Sequence, residues 1–94
     1  MNNIVTFIRH PRKNNRIGVV IATQMTTDPK KVGIGWSLTA VNHGDQFDKS
    51  KGLMIALNRA NEGSNKPTPN SILDEVSHMR ARAVKYFKDC EVID

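Results

Sequence analysis

The chain has 94 residues, 38% hydrophobic and 24% charged, and its 14 Lys and Arg outnumber 9 Asp and Glu for a formal net charge of +5. That is enough chain for one compact domain and too little for two, and the composition is globular rather than disordered. The single cysteine, Cys90, excludes an intramolecular disulfide and a cysteine-based zinc site.

One free cysteine also points to a reducing, cytoplasmic setting. The longest apolar run, Ile17–Ala22, is far short of a membrane span, so no membrane partner is expected. Ile4–Ile8 is too short for the apolar region of a signal peptide and runs into Arg9, so no secretory leader is expected either.

Asn3–Arg9 is a short β-favouring run with Ile4, Thr6 and Ile8 on one face and Val5 and Phe7 on the other. Arg16–Thr23 repeats the pattern. Between them, Pro11 and Asn14-Asn15 supply turn chemistry, which predicts a β-hairpin. Its tip, Arg9 to Arg16, carries Arg9, Arg12, Lys13 and Arg16. Residues 1–31 hold these four cations plus Lys30 and Lys31 against Asp28 alone, a local +5 equal to the whole net charge. Such a cluster attracts phosphate or an acidic protein surface. The plainer reading is a solvated loop that keeps the protein soluble.

After a connector with the turn signal Thr27-Asp28-Pro29, residues 32–41 alternate cleanly. Val32, Ile34, Trp36, Leu38 and Ala40 share one face of this third strand; Gly33, Gly35, Ser37 and Thr39 share the other, where every side chain is small. A bare strand face marks close approach by another backbone, a helix or a ligand, with helix packing the simplest case. Gly33-x-Gly35 is not a dinucleotide fingerprint, because the third glycine is missing and no helix follows at the required place.

Asn42–Asp45 is a turn, and Asp48 is suited to N-cap a helix over Lys49–Asn61. Leu53, Ala56, Leu57 and Ala60 form its apolar stripe. Gly52 in its first turn calls for a packing reason, Phe47 is placed as a hydrophobic staple, and Gly63 is a C-cap candidate. A second helix is predicted over Ser71–Lys88, with Ile72, Val76, Met79, Ala83 and Phe87 inward, flanked by Leu73, Val84 and Cys90. Its acids, Asp74 and Glu75, precede its bases, Arg80, Arg82, Lys85 and Lys88, as the helix dipole prefers.

The order predicts an α+β fold: a small three-stranded, mostly antiparallel sheet, made of the hairpin plus a third strand, followed by two helices packed on one face. The uncovered sheet face would then be exposed or buried by a second copy, which leaves a homodimer open.

Convergent catalytic groups are scarce. His10, His43 and His78 lie in the basic loop, a turn and a helix, and no G-x-S-x-G elbow is present. His43, Asp45 and Asp48 invite a metal reading, but turn and cap roles explain the two acids, and no metal or cofactor is expected. Neither is an enzyme.

The stretch Gly35-Trp36-Ser37-Leu38, then Asp45-Gln46-Phe47-Asp48-Lys49, then Gly52-Leu53-Met54-Ile55-Ala56 with Arg59-Ala60, resembles a group of small bacteriophage-encoded accessory proteins. They carry a G-W-S-L, D-x-F-D-K, G-L-x-I-A, R-A pattern with no established activity. The resemblance covers about residues 33–60 and departs from the group at Asn42-His43-Gly44. It implies a phage gene expressed in a bacterial cytoplasm.

Two functions follow as expectations. One is a binding module that contacts nucleic acid with low sequence specificity through Arg9, Arg12, Lys13, Arg16, Lys30 and Lys31, with Arg82, Lys85, Lys49 and Arg59 as secondary candidates. The other is an inhibitor or modulator docking on an acidic host protein, by an exposed strand edge among other routes.

Overall fold

The computed structural model describes residues 3–12, 15–39, 47–62 and 67–93. Strands β1 (Asn3–Arg9), β2 (Arg16–Gln24) and β3 (Lys31–Leu38) form where the alternation predicts them and pair antiparallel in that order. A fourth strand, β4 (Glu91–Ile93), pairs parallel to β3 at Lys31–Gly33, so the sheet is four-stranded in the order β1-β2-β3-β4. With helices α1 (Lys49–Glu62) and α2 (Leu73–Tyr86) the fold is α+β as expected. The expected count of three strands is corrected by one. Three residues are too few for a period of two to show, and β4 forms because part of the outer edge of β3 is open to it.

The placement of the helices also corrects the expectation: they do not share a face. α1 packs on the side of Val19, Ile21, Gly33, Gly35 and Ser37. α2 packs on the other side, where Ile4, Ile8, Val20, Ala22 and Val32 meet Ile72, Val76, Met79, Ala83 and Phe87. Each helix matches its face by size. A Cβ on Gly33 would overlap the Ala60 carbonyl oxygen and one on Gly35 the Ala56 carbonyl oxygen, so the backbones of α1 and β3 are in direct contact. Only a helix stripe as slight as Gly52, Ala56 and Ala60 fits there. The bulkier stripe of α2 needs side chains opposite it, and Ile34, Trp36 and Leu38 contribute from the other face of β3.

Between two helices, β2 is buried on both sides, and every residue from Gly18 to Thr23 is buried. Each of its large apolar side chains contributes about 1.5–3 kcal/mol by leaving water. Because both faces of the sheet carry a helix, neither calls for a second copy to cover it.

The expected N-cap is present: the Lys51 backbone N–H donates to Asp48 Oδ1 at 3.0 Å. Gly52 has its packing reason, since a Cβ there would lie 2.7 Å from the Phe47 ring, while Ser37 Oγ donates to the Gly52 carbonyl at 3.0 Å. Gly63 lies outside the described residues. Before α2, a 3-10 turn at Asn70–Ile72 follows Pro69. The predicted inward stripe is buried, but Leu73 and Val84 are 46% and 58% exposed and do not join the core. α2 stops two positions before Lys88 because the chain must turn through Cys90 into β4.

Gly35→Ala and Gly33→Ala should each destabilise by about 3 kcal/mol, because the added methyl meets backbone that cannot rotate away. Ser37→Ala should lose only about 1 kcal/mol, the worth of its hydrogen bond. Urea midpoints of the three variants test this; equal losses would mean that the close contact does not set the stability of the α1 face.

A basic hairpin end as the candidate functional site

The β1–β2 hairpin forms, and Arg9, Arg12 and Arg16 are exposed on it. The register shifts between Ile8 and Arg9, so Arg9 faces Arg16 directly across the root of the loop. The His10 backbone N–H donates to the Asn15 carbonyl at 2.8 Å and closes the loop, and the Arg12 N–H donates to His10 Nδ1 at 3.1 Å. Like charges opposed across two strands repel. Arg16 lies over the Phe7 ring, its guanidinium carbon 4.6 Å from the centroid.

A second cation reaches the same ring from far along the chain. Lys49, in the first turn of α1, holds its Nζ 5.7 Å from the Phe7 centroid. Phe47 meets Phe7 edge to face, with centroids 6.2 Å apart and planes at 81°. Each cation–ring contact is worth about 0.5–1 kcal/mol at an exposed site, enough to orient a long side chain without neutralising it. Arg9, Arg12, Arg16 and Lys49 are thus gathered at one end of the molecule. Asp48, beside Lys49 in sequence, spends a carboxylate oxygen on the helix cap. Lys13 lies outside the described residues.

Lys30 and Lys31 do not belong to this surface, which corrects the grouping expected from the sequence. They follow β2, whose nine residues separate them from the hairpin by about 26 Å at roughly 3.3 Å per residue. There they sit among acids. Asp28 Oδ1 accepts from the Lys30 N–H at 3.1 Å, and Lys31 is the register partner of Glu91 in β4. A sequence window sums these charges with those of the hairpin; the strand between them keeps them apart.

The secondary candidates divide three ways. Lys49 joins the hairpin end. Arg59 is committed to structure: its Nη1 donates to the Trp36 carbonyl at 2.8 Å and its guanidinium lies 4.5 Å from the centroid of the Trp36 ring. Arg82 and Lys85 lie by β1 on the α2 side, where Arg82 Nη1 donates to Thr6 Oγ1 at 2.6 Å. Phe7, the residue that gathers two of the cations, was not singled out from the sequence. Its alternation with Ile8 indicated only that it faces away from the Ile4 side.

Among the described residues no group of three or more His, Cys, Asp and Glu side chains could hold a metal ion. His43 and Asp45 lie outside those residues. Cys90 is half-buried and donates from Sγ to the Pro29 carbonyl at 3.5 Å. No described helix is long and apolar enough to cross a membrane. No protein-family model matches the chain, and comparison with curated proteins and with solved structures found no match to it.

Arg59→Ala should destabilise by about 1–2 kcal/mol through loss of the ring contact and the hydrogen bond. The triple change Arg12→Ser, Lys13→Ser, Arg16→Ser should cost no more than about 1 kcal/mol, since among the described residues it removes the Arg16–Phe7 contact and loop tips tolerate change. Thermal melts of both variants decide whether Arg59 serves the fold while the hairpin cations do not; a larger loss in the triple variant would make the hairpin cluster structural.

Proposed function

We propose that this protein is a non-enzymatic binding module whose hairpin end contacts the phosphate backbone of nucleic acid with low sequence specificity. The observation that carries this reading is the convergence of Arg16 and Lys49 on the Phe7 ring, beside Arg9 and Arg12. Two elements far apart in sequence supply cations to one place, where both charged heads lie against the Phe7 ring while Arg16 and Lys49 remain exposed. A polyanion offers several phosphates at close spacing, so it answers such a cluster better than a single carboxylate does.

Low specificity follows from the same geometry. Phosphate contacts position a protein on nucleic acid but carry no base information. The ring best placed to stack on a base, Phe7, already has two cations against it. The phage-like motif supplies the expected setting, an accessory protein in a bacterial cytoplasm. Docking on an acidic host protein is the alternative.

The test is fluorescence anisotropy with labelled single-stranded and duplex oligonucleotides across a salt series. With Arg9, Arg12, Lys13, Arg16 and Lys49 each neutralising one phosphate, log affinity for duplex DNA should fall against log salt with a slope of about −4.5, and about −3.5 for a single strand. Lys49→Ala should reduce the duplex slope by about 0.9, and the triple serine variant by about 2.7. Absence of binding at low salt, or a slope unchanged in these variants, would overturn the reading. Recovery from bacterial lysate of one stoichiometric protein that survives nuclease and salt, and that is lost with the triple serine variant, would favour the alternative.

A further inference from the structure

A second surface lies at the far edge of the sheet, on the opposite face from Lys49. β1 is an edge strand, and its ladder direction can be followed residue by residue. The Thr39 N–H donates to the Ile17 carbonyl and the Met25 N–H to the Lys31 carbonyl, so odd-numbered residues of β2 and β3 bond to each other. The even-numbered residues of β2 therefore bond to their partners Ile4, Thr6 and Ile8. That leaves the backbone N–H and C=O groups of Val5 and Phe7 pointing away from the sheet.

Beside this edge, on the α2 side, is an open groove of about 520 Å³ lined by Asn3, Ile4, Val5, Arg82, Lys85 and Tyr86. Tyr86, 56% exposed, is its apolar side chain on this face, while Val5, 38% exposed, lines it from the edge with its side chain on the opposite face of the strand. Its charge is of one sign. Arg82 is held against the strand by its hydrogen bond to Thr6 Oγ1, and Lys85 follows one helical turn later. Among the described residues no acidic side chain lines the groove.

We propose that this groove binds an extended acidic segment of a partner protein, added to the sheet as a fifth strand along β1. The edge supplies main-chain hydrogen bonds, which give affinity to any extended peptide. Tyr86 supplies apolar contact on the α2 side and Val5 on the opposite face, and Arg82 and Lys85 select the side chains above them. The two cations are three residues apart on a helix, about 4.5 Å along its axis, whereas alternate residues of a strand are about 6.8 Å apart. Long basic side chains span that difference, so the preferred segment carries acids two positions apart, with an apolar residue between them turned to the other face.

A second copy of this chain fits the edge poorly. Pairing β1 with its own symmetry mate would bring two Arg82–Lys85 pairs towards one another, and like charges across a pairing oppose it. A nucleic acid strand has no backbone N–H or C=O with which to extend a sheet.

The probe is a fluorescein-labelled octapeptide alternating valine and glutamate, titrated into the intact protein by anisotropy. Its controls are the same peptide with glutamine for glutamate and two peptides N-methylated on alternate residues, one set on each edge of the strand. Binding should weaken at least about tenfold with the glutamine peptide and with the double variant R82A/K85A, the loss expected when charge pairing is removed. One N-methylated peptide should lose binding and the other retain it, because only one edge faces β1. Arg82 and Lys85 are exposed, so the variant should stay folded, its urea midpoint lowered only by the loss of the Arg82–Thr6 hydrogen bond. Its affinity for the duplex oligonucleotide should also be unchanged, which separates this site from the hairpin end. The proposal is overturned if the glutamate peptide does not bind, if both N-methylated peptides bind alike, or if R82A/K85A weakens the oligonucleotide instead of the peptide.

Discussion

The direct contact between the backbones of α1 and β3 is the constraint on which the other features depend. Gly33 and Gly35 have no side chains to hold a helix at the usual distance, and Ala56 and Ala60 answer with the least a helix can offer. Contacts run from Gly52 at Ser37 to Ala60 at Gly33, so α1 lies antiparallel to β3. Its N-terminus is thereby delivered to the end of the sheet where β1 and β2 join. Lys49 reaches Phe7 for that reason and no local one. The same approach lets Arg59 pass the open edge of β3 and cap the Trp36 carbonyl. A helix standing farther off would leave both cations in solvent.

The strands and helices were legible because each carries a period matched to its environment. Val32–Thr39 alternates because one side needs bulk and the other needs none, and the stripe Ile72, Val76, Met79, Ala83, Phe87 repeats because one side of α2 is core. Asp48 and Gly52 were legible as well, since capping and first-turn glycine have local causes. What could not be read was which helix goes to which side. Periodicity gives each element an inner face but does not say which inner faces meet. The bare face of β3 and the alanine stripe of α1 are complementary in size, and that match was available in the sequence. Using it requires comparing two elements, not reading each alone. β4 was hidden for a different reason: Glu91–Ile93 has no signal of its own and becomes a strand only where β3 offers it an edge.

Charge was the least legible property, because a linear window adds what the fold separates. Arg9 to Arg16 stayed together, as a hairpin tip must. Lys30 and Lys31 were carried the length of β2 away and set among Asp28 and Glu91. The secondary cations were sorted by neighbours invisible in the sequence: a phenylalanine for Lys49, a tryptophan for Arg59, a threonine hydroxyl for Arg82. Each neighbour fixes a direction for its cation, and direction decides whether a charge is available to a partner or committed to the fold.

The two surfaces differ in what they can recognise, and the difference comes from the backbone. At the hairpin end the strands have ended, so recognition rests on side-chain charge, which favours a ligand with many equivalent anions. Along β1 the main chain itself is unpaired, so recognition has a direction, a register and a repeat of two residues. A sheet with an edge this long and free of proline is open to unwanted pairing. Arg82 and Lys85 beside it repel a second copy of the same chain while leaving the edge open to an acidic strand. The cations that select a partner there are therefore the same ones that keep the protein from pairing with itself.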